Sequence, residues 1–227
     1  MGGEPAMIRI EADLEAAGIA VTLGCITAEV TVADADAGLA QKLAAAIPAG
    51  GGARPQDRPA VAATRAAYRA LGKDPARYRP AAEALLRRVL QGKGVGAINT
   101  VVDCNNLLSL ETGLSIGTYD RTRLTPPLAL RRARPGESYA GIGRGPLNLD
   151  GLPVLVDAEG PFGSPTSDSA RTRVEISTTV ILMVLFGFGP VPVDHAHLER
   201  ARALLEAHCA ARLLDCRLVT SEPRVAA

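Results

Sequence analysis

"INTVVDCNNLLSLETGLSIGTYD", from Ile98 to Asp120, holds the switch on which the fold turns. Its first half predicts a helix over Ile98–Leu110, with Val102, Leu107 and Leu110 available to a core. Gly113 suits a helix end, and "LSIGTYD" after it reads as a strand. Two more helical stretches lie upstream, Val61–Leu71 and Pro80–Leu90. The first stops at "LGKDP", where Gly72 can take a left-handed cap and Pro75 prevents continuation. In the second, Pro80 fits the opening turn, and Leu85, Leu86, Val89 and Leu90 make an apolar stripe. Downstream, "PLALRRA", "ESYAGIG", "LPVLVD" and "TTVILMVLF" read as strands broken by Gly and Pro, ending at Phe186. Helices followed by a block of strands predict an α+β domain rather than a βαβ repeat.

Toward the N-terminus, "MIRIEADLEAAG" suggests a strand and a short helix stopped at Gly18. Ile19–Val32 is apolar and β-branched, hence a central strand. Ala35–Ile47 is helical, with Leu39, Leu43 and Ile47 on one face. "PAGGGARPQDRP" (Pro48–Pro59) reads as a linker. After the strand block a long helix is expected from about Asp194 to Leu214, then a polar tail. There is no internal repeat. The expectation is one domain over residues 1–227, with an N-terminal α/β part at 1–53.

Composition narrows the function. The chain is 47% hydrophobic, with no Trp and three Phe, so the core rests on Ala, Leu and Val. Stacking platforms for single-stranded nucleic acid are scarce. The net charge is +1, so no bulk field draws the chain to DNA or to a membrane. The charge is uneven, however: residues 54–93 hold ten Lys/Arg against three Asp/Glu. That segment is either a phosphate-facing surface or a set of solubilising helix faces. The four cysteines form no CxxC pair, "MGGEP" lacks the features of a targeting peptide, and no apolar run is long enough to span a membrane. A reduced, cytoplasmic protein is expected.

The local motifs are mostly negative. "GIGRG" (Gly141–Gly145) lacks the spacing of a dinucleotide or Walker loop and reads as a turn between strands, one that glycine would let a ligand approach. In "DHAH", Asp194 reads as a helix N-cap, and His195 and His197 point in different directions; no metal is expected. His208 reads as surface. Cys104 has no evident histidine partner and reads as buried and structural. No G-x-S-x-G elbow is present. By contrast, Asn99, Asp103 and Asn106 share a helix face at spacings of four and three. Such a stripe either lines a pocket or satisfies buried loop backbone.

"YRPAAEALLRR", "INTVVDCNNLLSLETGLSIGTYD", "GIGRGPLNLDGLPVLVDAEGPFGSPTSDSARTR" and the apolar strand after them resemble the tRNA-editing (B3/B4) domain of the phenylalanyl-tRNA synthetase beta subunit. They are still more similar to free-standing proteins built from that domain alone. The resemblance covers roughly residues 68–186 and leaves no room for the synthetase's ATP-binding module. It implies a B3/B4-like α+β fold with β-layers of unusual topology. It also implies hydrolysis of an amino acid wrongly esterified to tRNA, as the synthetase domain does with tyrosine on the phenylalanine tRNA. An editing site can recognise an extra hydroxyl that a hydrophobic synthetic pocket rejects poorly. Such hydrolysis needs a placed water and oxyanion donors, not a cofactor.

The family motif "HAFD" stands here as "GTYD", with Gly117 in place of histidine. The Gly-Gly loop becomes Gly163 and Ser164. The strand after it, "ISTTVILMVLF", has no glutamate. On the resemblance, Asp157–Val174 is expected to line a pocket facing the "VVDCNN" helix. Asp157, Glu159, Ser164 and Thr166 are its catalytic candidates. Asn99, Asp103, Asn106, Gly163, Ser167, Asp168 and Arg173 are its substrate-binding candidates. Arg79, Arg87 and Arg88 are candidates for RNA. The expected partner is tRNA or aminoacyl-tRNA, or an amino-acid-like ligand. Trans-acting deacylation, non-catalytic binding, and docking on a synthetase all remain open.

Overall fold

The computed structural model describes residues 7–46, 54–95, 97–143 and 145–221. At its centre lies β9 (Val180–Phe188), apolar at almost every position because both its faces are covered. Ile181, Met183 and Leu185 enter a core shared with helices, while Leu182, Val184, Phe186 and Phe188 enter a second core. That division follows from the two-residue period of a strand.

β2 (Val21–Glu29) runs antiparallel to β9, Val21 opposite Phe188 and Glu29 opposite Val180. β3 (Ser115–Asp120) pairs along its other side, Ser115 opposite Phe186. β10 (Arg212–Thr220) pairs with β2, completing the order β10-β2-β9-β3. A second sheet has the order β1-β4-β7-β8, from β1 (Ile8–Ile10), β4 (Leu128–Arg132), β7 (Pro153–Asp157) and β8 (Gly160–Gly163). β1 and β4 are parallel; the other pairs are antiparallel. Its Ile8, Leu130, Leu155 and Phe162 meet the first sheet in the second core. β5 (Ser138–Ala140) and β6 (Pro146–Asn148) form a hairpin beside it.

Helices cover the outer face of the first sheet. α2 (Ala37–Ala45), α4 (Ala81–Leu90), α5 (Thr100–Thr112) and α6 (His195–Cys209) contribute Leu39, Leu86, Val101, Leu108 and Leu204 to the first core. α3 (Pro59–Ala70) places Val61 in that core and Ala67 in the second, so it clasps both layers. The result, among the described residues, is a single α+β domain with one helical layer, two four-stranded sheets and the two-stranded β5-β6 hairpin.

The opening stretch behaves as its residues dictate. The side chain of Asn99 accepts from Val102 N at 2.9 Å and caps α5. Gly113, at φ 78°, closes it in the left-handed region, and β3 starts two residues on. Three expectations need correction. The last helix ends at Cys209, and Arg212–Thr220 is an edge strand, because pairing along β2 satisfies backbone that a helix extended to Leu214 would leave open. Asp157–Val174 is not one loop, since Gly160–Gly163 folds back onto β7. His208 is not a surface residue: its side chain is 8% exposed and bonds Asp36, the α2 N-cap, at 3.1 Å. Ile47 of the expected helix, residues 48–53 of the expected linker and residues 222–227 of the expected tail lie outside the described residues. The linker's end, Pro55–Asp57, is a 3-10 turn.

Candidate functional site

The loop after β8 is held by tyrosines. The Tyr68 and Thr166 hydroxyls lie 2.8 Å apart, both buried. Tyr139 donates to Ser164 Oγ at 3.1 Å. Tyr119 donates to Asp168 Oδ1 at 2.8 Å. Three of the four tyrosines in the chain therefore serve one short segment. Within it, Ser164 Oγ accepts the N–H groups of Thr166 and Ser167 and donates to Ser167 O at 2.9 Å. Ser164 thus shapes the turn, and at 3% exposure its hydroxyl is not offered to solvent.

Tyr119 fits because two glycines make room. A Cβ on Gly117 would lie 1.9 Å from its hydroxyl, and one on Gly163 would lie 2.1 Å from it. The same space admits the tyrosine oxygen or a side chain at position 117, never both. Asp168 also accepts the backbone N–H groups of Ser164 and Thr118. Burial outweighs these bonds and pushes its carboxyl up to about 7. A carboxylate poised near neutrality is suited to taking a proton from water.

Asp168 stands on the wall of two neighbouring cavities. One, of about 660 Å³, lies between α4, α5 and the Thr166–Asp168 turn. Arg79, Arg87, Arg88 and Lys93 line it, as do Asn106 and Ser167. The other, of about 490 Å³, shares Ile98, Val102, Asn105, Ile142 and Asp168 with the first. On α5 the positions Val102, Asn105, Asn106 and Ser109 face the larger cavity, at spacings of three, four and seven. Asn105 Oδ1 accepts from Thr118 Oγ1 at 3.0 Å, which leaves its amide N–H groups for a ligand.

The arginines owe their placement to one buried acid. Glu83, 1% exposed on α4, pairs with Arg65 at 2.8 Å, Arg79 at 3.5 Å and Arg87 at 3.6 Å. One carboxylate cannot neutralise three guanidiniums, so the cavity wall keeps a positive excess. Arg79 Nε is buried without a hydrogen-bond partner. Other basic residues of the segment are structural: Arg58 donates to Leu110 O and Glu111 O at the end of α5.

The structure therefore gathers Thr166, Ser167, Asp168 and Asn106 with Arg79, Arg87 and Arg88 around one cavity. Arg173 lies on the smaller one, paired with Glu175. Asp157 and Glu159 are not brought there. They line a separate depression with Arg9 and Arg131. Asp157 is fully engaged, accepting from Thr125, Glu159 and Gly160 N–H groups and from both Arg171 Nη atoms. Burial raises its carboxyl, but the Arg171 guanidinium and those N–H groups hold it below the usual range. Asn99 borders the smaller cavity, but its side-chain oxygen is committed to the cap. Asp103 turns inward, accepts from Ile98 N at 3.2 Å and is raised by burial. Gly163 and Ser164 support the loop from behind. Cys104 is buried beside Cys209, the sulfurs 3.9 Å apart. His197 and Asp194 form a capping box on α6.

Sequence reasoning missed Asn105 and the tyrosines. Thr100, Cys104 and Leu107 mark the inner face of α5, so the face opposite them, shared by Val102, Asn105, Asn106 and Ser109, was the signal for Asn105. Nothing local signals the tyrosines, whose partners lie 98, 49 and 25 residues away.

The double cavity has one arginine-lined side and one largely apolar side, with a carboxyl near neutrality on the shared wall, an arrangement whose chemistry suits an anionic ligand that also carries an apolar group. Residues 63–206 match the B3/4 domain, and the chain belongs to that family. It is similar to the phenylalanine--tRNA ligase beta subunit of Thermobifida fusca, 32% identical over 64% of this chain and 19% of that one. It is likewise similar to that of Streptomyces avermitilis, 32% identical over 48% of this chain and 14% of that one. The chain thus spans less than a fifth of these relatives. An N-terminal fragment of the phenylalanyl-tRNA synthetase beta-subunit from Pyrococcus horikoshii aligns over 88% of this chain and 50% of that one, at 15% identity and a TM-score of 0.42. Among the described residues no helix is long and apolar enough to cross a membrane.

Proposed function

We propose that this chain binds the aminoacylated 3′ end of a tRNA in the double cavity and hydrolyses its ester in trans. The observation that carries the reading is Asp168, whose carboxyl, near 7, sits on the wall shared by both cavities. Arg79, Arg87, Arg88 and Lys93 receive the terminal phosphates. Asp168 takes a proton from a water as that water attacks the ester carbonyl. The amides of Asn105 and Asn106 are the donors available to the developing oxyanion. The ester C–O bond then breaks, and the leaving ribose oxygen takes up the proton that Asp168 took from the water, which returns the carboxylate and frees the amino acid. No cofactor enters this scheme.

The test is deacylation of a panel of mischarged tRNAs, tyrosine on phenylalanine tRNA among them, by the protein and by Asp168→Asn. Loss of the amino acid that the variant slows at least 100-fold supports the reading. Hydrolysis no faster than in buffer on every substrate refutes it.

A second reading, a binding module without turnover, is favoured by one observation. The Tyr119 hydroxyl fills the space that a side chain at position 117, the family histidine, would need. In that case Arg87→Ala with Arg88→Ala weakens tRNA binding and lowers its salt slope by about 1–2, while no substrate is hydrolysed.

A further inference from the structure

We infer that the smaller cavity is an acyl subsite that holds the apolar, preferably aliphatic, side chain of an α-amino acid. This rests on reading the site as one for aminoacyl-tRNA, and it says which amino acids that site takes. Among the described residues, the exposed large apolar side chains include Ile98, Ile142 and Ile176, at 61%, 45% and 51%. They come from three distant segments: the turn before α5, the glycine turn at 141–143 and the residues before β9. All three line the 490 Å³ cavity, together with Val102 and Val174. Exposed β-branched side chains gathered at one concavity mark a place where a ligand removes them from water.

The charge arrangement orients that ligand. Arg79, Arg87, Arg88 and Lys93 line the larger cavity, whereas the Arg173 on the smaller one is paired with Glu175, so phosphate belongs in the larger. Asp168, the proposed base, is on the shared wall, so the reacting carbonyl belongs at the boundary. The group left over, the side chain, then projects into the smaller cavity. Its polar lining is Asn105 and Thr118, which bond each other, the helix-capping Asn99, the Arg173–Glu175 pair, and the carboxyls of Asp34 and Asp168. Among the described residues no aromatic ring lines either cavity, so the walls are shaped for aliphatic rather than stacked groups.

The experiment is methyl-resolved NMR titration of the full chain with amino-acid amides: leucinamide, valinamide, alaninamide, serinamide and aspartamide. Amides carry the ammonium and the side chain but no ester and no RNA. The expected result is binding that strengthens by about threefold to fourfold per added methylene. Shifts should occur at the Ile98, Ile142 and Ile176 methyls. Ile176→Ser should lose at least threefold for leucinamide and nothing for uncharged tRNA. Free leucine separates an acyl site from a free-amino-acid site: binding of the amide within threefold of the acid supports the acyl site, and a tenfold preference for the acid overturns it. Equal binding of serinamide and leucinamide, binding of no amide, or shifts confined to other methyls also overturns the subsite. Hydrolysis of mischarged tRNA without side-chain discrimination would leave the proposed function standing and this inference refuted. Aliphatic binding without hydrolysis would do the reverse.

Discussion

Replacing Asp168 by Asn tests the central group of the site through stability alone, without any assumed substrate. In the folded chain the Asp168 carboxyl titrates near 7, against 3.8 for an ordinary aspartate. Between those values the unfolded chain is ionised while the folded chain retains its proton. Stability therefore falls as pH rises from about 4 to about 7, and is level above that. At about 1.36 kcal/mol per unit the full penalty is roughly 4 kcal/mol, of which about half develops between pH 5 and 7. Asp168 is half-buried, and solvent on its cavity side screens part of this, so at most about 2 kcal/mol is the expected change over that interval. Asn keeps an acceptor for Tyr119 and does not titrate. Urea unfolding of both proteins at pH 5, 6, 7 and 8 should show the variant gaining on the parent by about 2 kcal/mol as pH rises. A difference that stays constant across those pH values would refute the raised carboxyl, and with it the assignment of Asp168 as a base. A site residue that destabilises its own fold at neutral pH is a common trade between stability and activity.

Asp157 should behave in the opposite sense. Its carboxyl is held low, so its contribution is present above the unfolded value and lost as pH falls through the folded one. Asp157→Asn should cost about 2–3 kcal/mol at pH 7 and less at pH 3 in urea unfolding, with leucinamide binding unchanged. Gly117→Ala should lower stability by about 3 kcal/mol or more, because its Cβ meets the Tyr119 hydroxyl at 1.9 Å; thermal unfolding checks this. Glu83→Gln should cost about 3–5 kcal/mol, since it leaves Arg65, Arg79 and Arg87 without their shared acid, and calorimetry would show the lower Tm.

Much of the fold was legible in local pattern. The 3.6-residue stripes of α3, α4 and α5, the Asn99 cap, the Gly113 stop and the apolar runs of β2, β7 and β9 depend on near neighbours, so the sequence displays them. β10 was not legible. Its alternation is weak at a sheet edge, and what makes it a strand is pairing with β2, nearly two hundred residues earlier. The return of β8 onto β7 was hidden for a similar reason, because "GPFG" has few side chains to carry a pattern.

The site divides in the same way. Residue chemistry read together with the family resemblance brought Arg79, Arg87, Arg88, Asn106, Thr166, Ser167 and Asp168 into consideration, and the structure gathers them. The same reading also brought in Asp157, which looks as catalytic as Asp168 when read as a letter. Only tertiary structure separates the two carboxylates. One is met by Arg171 and three N–H groups and is held ionised. The other is closed in by Tyr119 and the Gly117 and Gly163 backbone, and burial keeps it near neutrality. Sequence determined which groups the chain possesses and which helices and strands carry them. Their desolvation and their charged neighbours, which decide what a carboxylate can do, arise from segments far apart in the chain and exist only once it has folded.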